Sequence, residues 1–112
     1  MEKISYALNP VFSKQKSFYG KANVFVSSWG SEAHYYTLRS YDTEVLTVLI
    51  GSAGMPYAKR IWNGYSVTTL RHVNELLMQQ GFPQLTARAW RAMEVGKYYG
   101  AVDVPALEKT LK

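Results

Sequence analysis

The chain has 112 residues, 47% of them hydrophobic, with nine tyrosines and a net charge of +5 from 13 Lys and Arg against 8 Asp and Glu. That is the length of one ordinary domain, which buries about two-thirds of the surface its unfolded chain exposes and needs no metal or disulfide to fold. The absence of cysteine excludes disulfides and thiolate chemistry, the apolar content argues against disorder, and the positive balance serves solubility or favours anionic partners, nucleic acid or an acidic protein surface.

Ile4, Tyr6 and Leu8 alternate as in a first strand, ended by Asn9-Pro10. Residues 13–21 are polar and basic and read as a loop or an ordered arm. A second strand is expected over 22–28, with Val24 and Val26 on one face, and a third, rich in aromatic and β-branched residues, over 35–41. Asp42-Thr43 turns the chain into a strand over 44–50. Val45 and Leu49 lie on one of its faces and Leu46, Val48 and Ile50 on the other, as in a strand covered on both sides and central in its sheet. Gly51 to Pro56 is a loop, 57–62 a further strand, and Asn63-Gly64 reads as a tight turn with positive φ angles.

Leu70, Val73 and Leu77 form the apolar stripe of a helix over 69–80, with Arg71, His72, Glu75 and Gln79 on its polar side. Ser66, Thr68 or Thr69 caps its start, and Gly81 followed by Pro83 ends it. Thr86 caps a second helix running to about Tyr99, on which Ala89, Ala92 and Gly96 make a face of small residues. Asp103 with Pro105 opens a short third helix. Strands followed by helices predict one α+β domain over residues 1–112, an antiparallel sheet of three to five strands with two or three helices packed on one face. No apolar run approaches the roughly 20 residues that span a bilayer. The N-terminus lacks a basic segment followed by an apolar one, so neither membrane insertion nor a signal peptide is expected.

Four segments stand out in order along the chain: 17–22 (Ser-Phe-Tyr-Gly-Lys-Ala), 38–43 (Leu-Arg-Ser-Tyr-Asp-Thr), the turn from Trp62 through Ser66, and 68–77 (Thr-Thr-Leu-Arg-His-Val-Asn-Glu-Leu-Leu) with Gln80-Gly81 after it. Together they resemble a family of small proteins of phages and integrated elements of Gram-positive bacteria whose function is not established. The resemblance covers about residues 17–81. It implies a setting in the bacterial cytoplasm and no mechanism.

The chemistry-bearing residues are sparse. Of two histidines, His72 falls on the polar side of its helix, where Ser66 does not reach its ring and no hydroxyl, imidazole and carboxylate converge. Ser13-Lys14-Gln15-Lys16 has the spacing of a serine-lysine motif without the further motifs such enzymes need. Glu32 with His34 and His72 with Glu75 give two pairs, short of the three or four ligands of a zinc site. The loop Gly51-Ser52-Ala53-Gly54 is followed by Met55-Pro56, not by the Lys-Ser/Thr of a phosphate loop. No catalytic residue, metal ligand or cofactor is therefore assigned.

Binding is better supported. Lys14, Lys16, Phe18, Tyr19 and Lys21 interleave positive charge with aromatic rings, the combination that serves a phosphate backbone beside stacked bases. Arg88 and Arg91 share one turn of the second helix, and Lys59 and Arg60 add charge ahead of Trp62, while Glu94 can pair with Arg91 and Arg71 with Glu75. Trp and Tyr abound, the residue types of interface hot spots. In the adjacent pair Tyr35-Tyr36 one ring must face away from the core. The expectation is a non-enzymatic binding protein. One role is inhibition of a host nuclease complex of the anti-CRISPR type by covering its surface, with a host protein or protein–nucleic acid complex as partner. The alternative is a small DNA- or RNA-binding accessory protein.

Overall fold

The computed structural model describes residues 3–8, 11, 21–29, 33–51, 56–101, 103, 104 and 107. Six strands, β1 (Lys3–Ala7), β2 (Ala22–Trp29), β3 (Ala33–Ser40), β4 (Thr43–Ile50), β5 (Pro56–Arg60) and β6 (Tyr98–Gly100), form one antiparallel sheet in chain order. Two helices, α1 (Val67–Gln79) and α2 (Ala87–Ala92), lie between β5 and β6 in sequence. The α+β class and the helices on one face match the sequence expectation, whereas the strand count exceeds three to five.

The extra strand lies where the sequence suggested helix. α2 stops at Ala92: Met93 takes ψ 125 and Gly96 takes φ 86, a conformation that glycine adopts without a Cβ penalty. The chain turns back there, Gly96 N donates to Arg60 O (2.8 Å), and Tyr98 to Gly100 pair with Tyr57 to Lys59. The edge of β5 has backbone groups that need partners, and satisfying them outweighs extending a six-residue helix. Gly96 thus belongs to a turn, not to a face of small residues on a helix. Most of the expected third helix lies outside the described residues.

Register puts side chains of paired residues on the same face. One face carries Val24, Leu38 and Leu46 in one row and Val26, Tyr36, Val48, Ala58 and Tyr99 in the next. On it pack Val73, Leu76 and Leu77 from α1 and Ala89 and Trp90 from α2. β4 is interior in the sheet as expected, but the helices cover only one of its faces: Leu46 and Val48 are buried in the core beneath them, whereas Thr47 and Leu49 lie on the opposite face. The register shift opposite Leu38/Arg39 places Val45 out of pairing, and its carbonyl instead accepts from Ile61 N at 2.9 Å.

Ser66 is the N-cap of α1, its hydroxyl accepting from Thr69 N (3.0 Å), and Thr86 caps α2 through Ala89 N (3.2 Å). Gly81 ends α1 at φ 89, with Phe82 N returning to Leu77 O at 2.8 Å. The polar side of α1 departs from expectation. His72 and Glu75 are buried at 1% and 0% exposure, and Leu70 is only half-buried. The segment after α1 folds back over the helix: Asn74 Nδ2 donates to Leu85 O (2.8 Å) and Leu85 N to Asn74 Oδ1 (2.7 Å). With the sheet on one side and this return on another, residues 72–77 are enclosed all round.

Neither Asn63 nor Gly64 has a positive φ, so the expected tight turn is absent. Glycine at 64 answers a different need: a Cβ there would overlap the Trp62 indole. Gly64 O accepts from both Arg60 Nη2 (3.0 Å) and Trp90 Nε1 (2.9 Å). Arg60 also donates to Trp62 O (2.7 Å), Trp90 O (2.8 Å) and Met93 O (3.2 Å), and its guanidinium lies 4.5 Å from the Trp90 ring centroid. At 5% exposure it is a clamp between β5, the 61–66 segment and α2, not the surface charge the sequence suggested.

Candidate nucleic-acid interface

The sheet has a second face, turned away from the helices. Ser27, Tyr35, Leu49, Tyr57 and Gly100 form one row across it, and Phe25, Thr37, Thr47, Lys59 and Tyr98 the next. None of the large apolar side chains in these rows packs against the core cluster. Tyr57 and Tyr98 are exposed at 40% and 38%, and Phe25, Tyr35 and Leu49 are half-buried. This is the face to which alternation sends Tyr35, while Tyr36 packs into the core.

Each part of the surface has a local cause. Gly100 stands opposite Tyr57 and is buried; a Cβ there would come closest to Asp103 Oδ2 (3.2 Å) and lie in ordinary contact with the Tyr57 ring (3.5 Å). Thr37 and Thr47 join their hydroxyls at 3.2 Å in the centre of the face. Two cations lie over rings: Arg39 is 4.8 Å from the Phe25 centroid and Lys59 is 5.0 Å from that of Tyr98. Arg39 reaches Glu44 only at 4.0 Å, and its buried Nε has no hydrogen-bond partner among the described residues. Aromatic planes with cations beside them suit bases stacked next to a phosphate backbone.

The residues singled out from sequence are placed less favourably. Lys14, Lys16, Phe18 and Tyr19 lie outside the described residues. Lys21 is exposed at the start of β2, with Nζ 5.5 Å from the Tyr41 ring centroid. Arg88 and Arg91 are exposed on α2, which packs on the other side of the sheet. Arg91 lies 4.5 Å from the Tyr65 centroid, and Glu94 approaches Lys97 (3.8 Å) in place of the expected Arg91. The open-face residues Arg39, Tyr57 and Tyr98 carried no local sequence motif. Only the alternation of Tyr35 and Tyr36 signalled that face.

His72 is an element of the packing, contrary to the expected exposed helix histidine. Its Nδ1 lies 2.8 Å from Ser40 Oγ, which in turn lies 3.0 Å from Thr69 Oγ1. Burial, with Arg71 and Lys21 adding to it, pushes the imidazole down to about 4. Ser40 and His72 form a hydroxyl–imidazole pair, but at 2% and 1% exposure neither atom is open to a substrate. Glu75 accepts from Gln79 Nε2 at 2.7 Å. Among the described residues no group of three or more His, Cys, Asp or Glu side chains could hold a metal ion, and no helix is long and apolar enough to cross a membrane.

A six-stranded antiparallel meander with helices on one face and an aromatic, cation-bearing surface on the other defines a small α+β domain with an open sheet face. Over residues 6–92 the chain matches DUF8033, a family of unknown function, and it belongs to that family. No curated protein and no solved structure matches it.

Proposed function

We propose that this protein is a non-enzymatic binding protein that takes single-stranded nucleic acid on the open face of its sheet. The observation that carries the reading is the set of rings at Phe25, Tyr35, Tyr57 and Tyr98, held clear of the core, with the Arg39 and Lys59 cations over two of them. Stacking of a base on an aromatic side chain contributes about 1–3 kcal/mol and tolerates any base. The net charge of +5 adds a sequence-independent attraction to the phosphates. The side chains at the centre of the face, Thr37 and Thr47, are short, and the unstacked bases of a single strand can reach its rings where those of a closed duplex cannot. The phage setting implied by the resemblance supplies the context for such an accessory role.

Fluorescence anisotropy with labelled single strands of about 12 nucleotides, DNA and RNA, tests the reading. The expected result is binding that weakens with salt. Tyr57→Ala should reduce affinity roughly 5- to 100-fold, the loss of one stacked base. Lys59→Ser should make the salt slope shallower by about 0.7, one phosphate contact to a single strand. Binding unaffected by both substitutions would refute the open-face reading. So would the absence of oligonucleotide binding together with a lysate partner that survives nuclease treatment, which would favour inhibition of a host protein complex.

A further inference from the structure

Where β5 pairs with β6, the open face has a finer arrangement. Tyr57 stands opposite Gly100 and Lys59 opposite Tyr98, so these residues are the four corners of one square of the ladder. The two tyrosines occupy one diagonal, and diagonal neighbours of this kind have Cα atoms about 7–8 Å apart. Both rings are exposed. The corners of the other diagonal differ in charge. At one, the Lys59 ammonium lies 5.0 Å from the Tyr98 ring centroid, and among the described residues it pairs with no carboxylate. At the other, Asp103 Oδ2 accepts from Gly100 N at 3.2 Å. A Cβ on Gly100 would point to the open face, as that of its partner Tyr57 does, and it would meet both this oxygen (3.2 Å) and the Tyr57 ring (3.5 Å). The carboxylate is therefore on the same face as the rings, at the corner away from Lys59. An anion placed between the two rings is drawn to the Lys59 corner and repelled from the Gly100 corner.

We propose that Tyr57, Lys59 and Tyr98 form a subsite for one phosphodiester step: two successive bases stack on the two rings, and the phosphate that joins them meets the Lys59 ammonium. The subsite rests on the reading of the open face as a nucleic-acid interface and gives that face a register. Without a ligand the ammonium is attracted to the Tyr98 ring. A base that stacks on Tyr98 takes that position, and the phosphate replaces the ring as partner of the cation. Lysine suits the exchange, being a point charge on a flexible stem. Every base has a π-face, so the two stacks carry no sequence preference. What the subsite requires is a charged linkage between two bases. A DNA or RNA strand and a free dinucleotide share that chemistry.

The test is an NMR titration of the Tyr57 and Tyr98 ring resonances at constant ionic strength. The probes are a thymidine dinucleoside monophosphate, the same molecule with an uncharged methylphosphonate linkage, and a thymidine strand of about 12 nucleotides. The expected result is that the charged dinucleotide shifts both rings together and saturably. Lys59→Ser and the uncharged linkage should each weaken it about tenfold, the loss of one hydrogen bond to a charged group. Combined, they should cost no more than either alone, because both remove the same contact. Lys59→Arg, which keeps the charge, should retain most of the affinity. Lys59 is half-buried, and unchanged thermal melting of both variants confirms the fold. Equal affinity for dinucleotide and strand assigns the subsite to free dinucleotides, and tighter binding of the strand assigns it to a polymer. An uncharged linkage that binds as well as the charged one, losses that multiply, a shift of one ring alone, or a strand that binds where the dinucleotide does not would each overturn the subsite and leave the stacking face standing. A strand that gives no saturable shift refutes the open-face reading and the subsite with it.

Discussion

The burial of His72 makes a quantitative prediction about acid. The unfolded chain takes up the histidine proton near 6.5, and the folded protein only near 4. Between those values the unfolded state holds more protons, so stability falls as pH falls. The contribution is complete above about 6.5, is lost progressively towards about 4, and changes no further below that. At about 1.4 kcal/mol per pH unit the loss is about 3 kcal/mol, a large part of the 5–15 kcal/mol typical of a domain. Carboxylates titrate over part of the same range, so the measurement is a difference. Urea unfolding is followed from pH 7.5 to 4 for the native sequence and for His72→Asn, which keeps a polar group near Ser40 but does not titrate. The two free energies should approach one another by about 3 kcal/mol across that range, the native sequence losing more. In Arg71→Gln the histidine titrates closer to 6.5 and the window narrows, because one of the cations acting on the ring is gone. Curves for the native sequence and His72→Asn that stay parallel would refute the reasoning.

Two further predictions concern the clamp beneath the helices. Arg60→Lys should destabilise the domain by about 2–4 kcal/mol in urea, since an ammonium cannot span four carbonyls and stack on Trp90, and its hydrogen bonds to Trp90 O and Met93 O are buried. A loss under about 0.5 kcal/mol, the range of an ordinary surface substitution, would show that the clamp does not fasten α2. Gly64→Ala should cost about 1–3 kcal/mol through overlap with the Trp62 ring, whereas the exposed neighbour Asn63→Ala should stay within about 0.5 kcal/mol. Equal effects at the two positions, read from thermal or urea unfolding, would mean that backbone conformation and not the indole dictates glycine at 64.

Much of the fold was legible because its signals are local. Alternation located β2, β3 and β4 to within two residues at each end. The double-sided apolar run marked β4 as interior, the stripe Val73 and Leu77 found the core side of α1, and Ser66 and Thr86 sit where hydroxyl caps belong. The same alternation required one of Tyr35 and Tyr36 to face away from the core, the first trace of the open face.

The remainder depends on partners remote in sequence. Whether Tyr98 to Gly100 extend a helix or pair with β5 depends on an edge about 40 residues earlier. His72 and Glu75 have the spacing of a solvated helix face, and tertiary packing removes them from water: His72 lies against Ser40 and Tyr41 at the end of β3, and the chain after α1 returns over the helix, fastened by Asn74 to Leu85. Arg60 reads as surface charge until four carbonyls from two separate segments, 62–64 and 90–93, converge on it. Phe25, Arg39, Tyr57, Lys59 and Tyr98 share no sequence motif and meet only because five strands, β2 to β6, stand in register. Side-chain period and capping are properties of neighbouring residues and survive in the sequence by itself. Which polar groups are buried, and which rings share an open surface, follows from strand pairing and helix docking, which the tertiary structure alone decides.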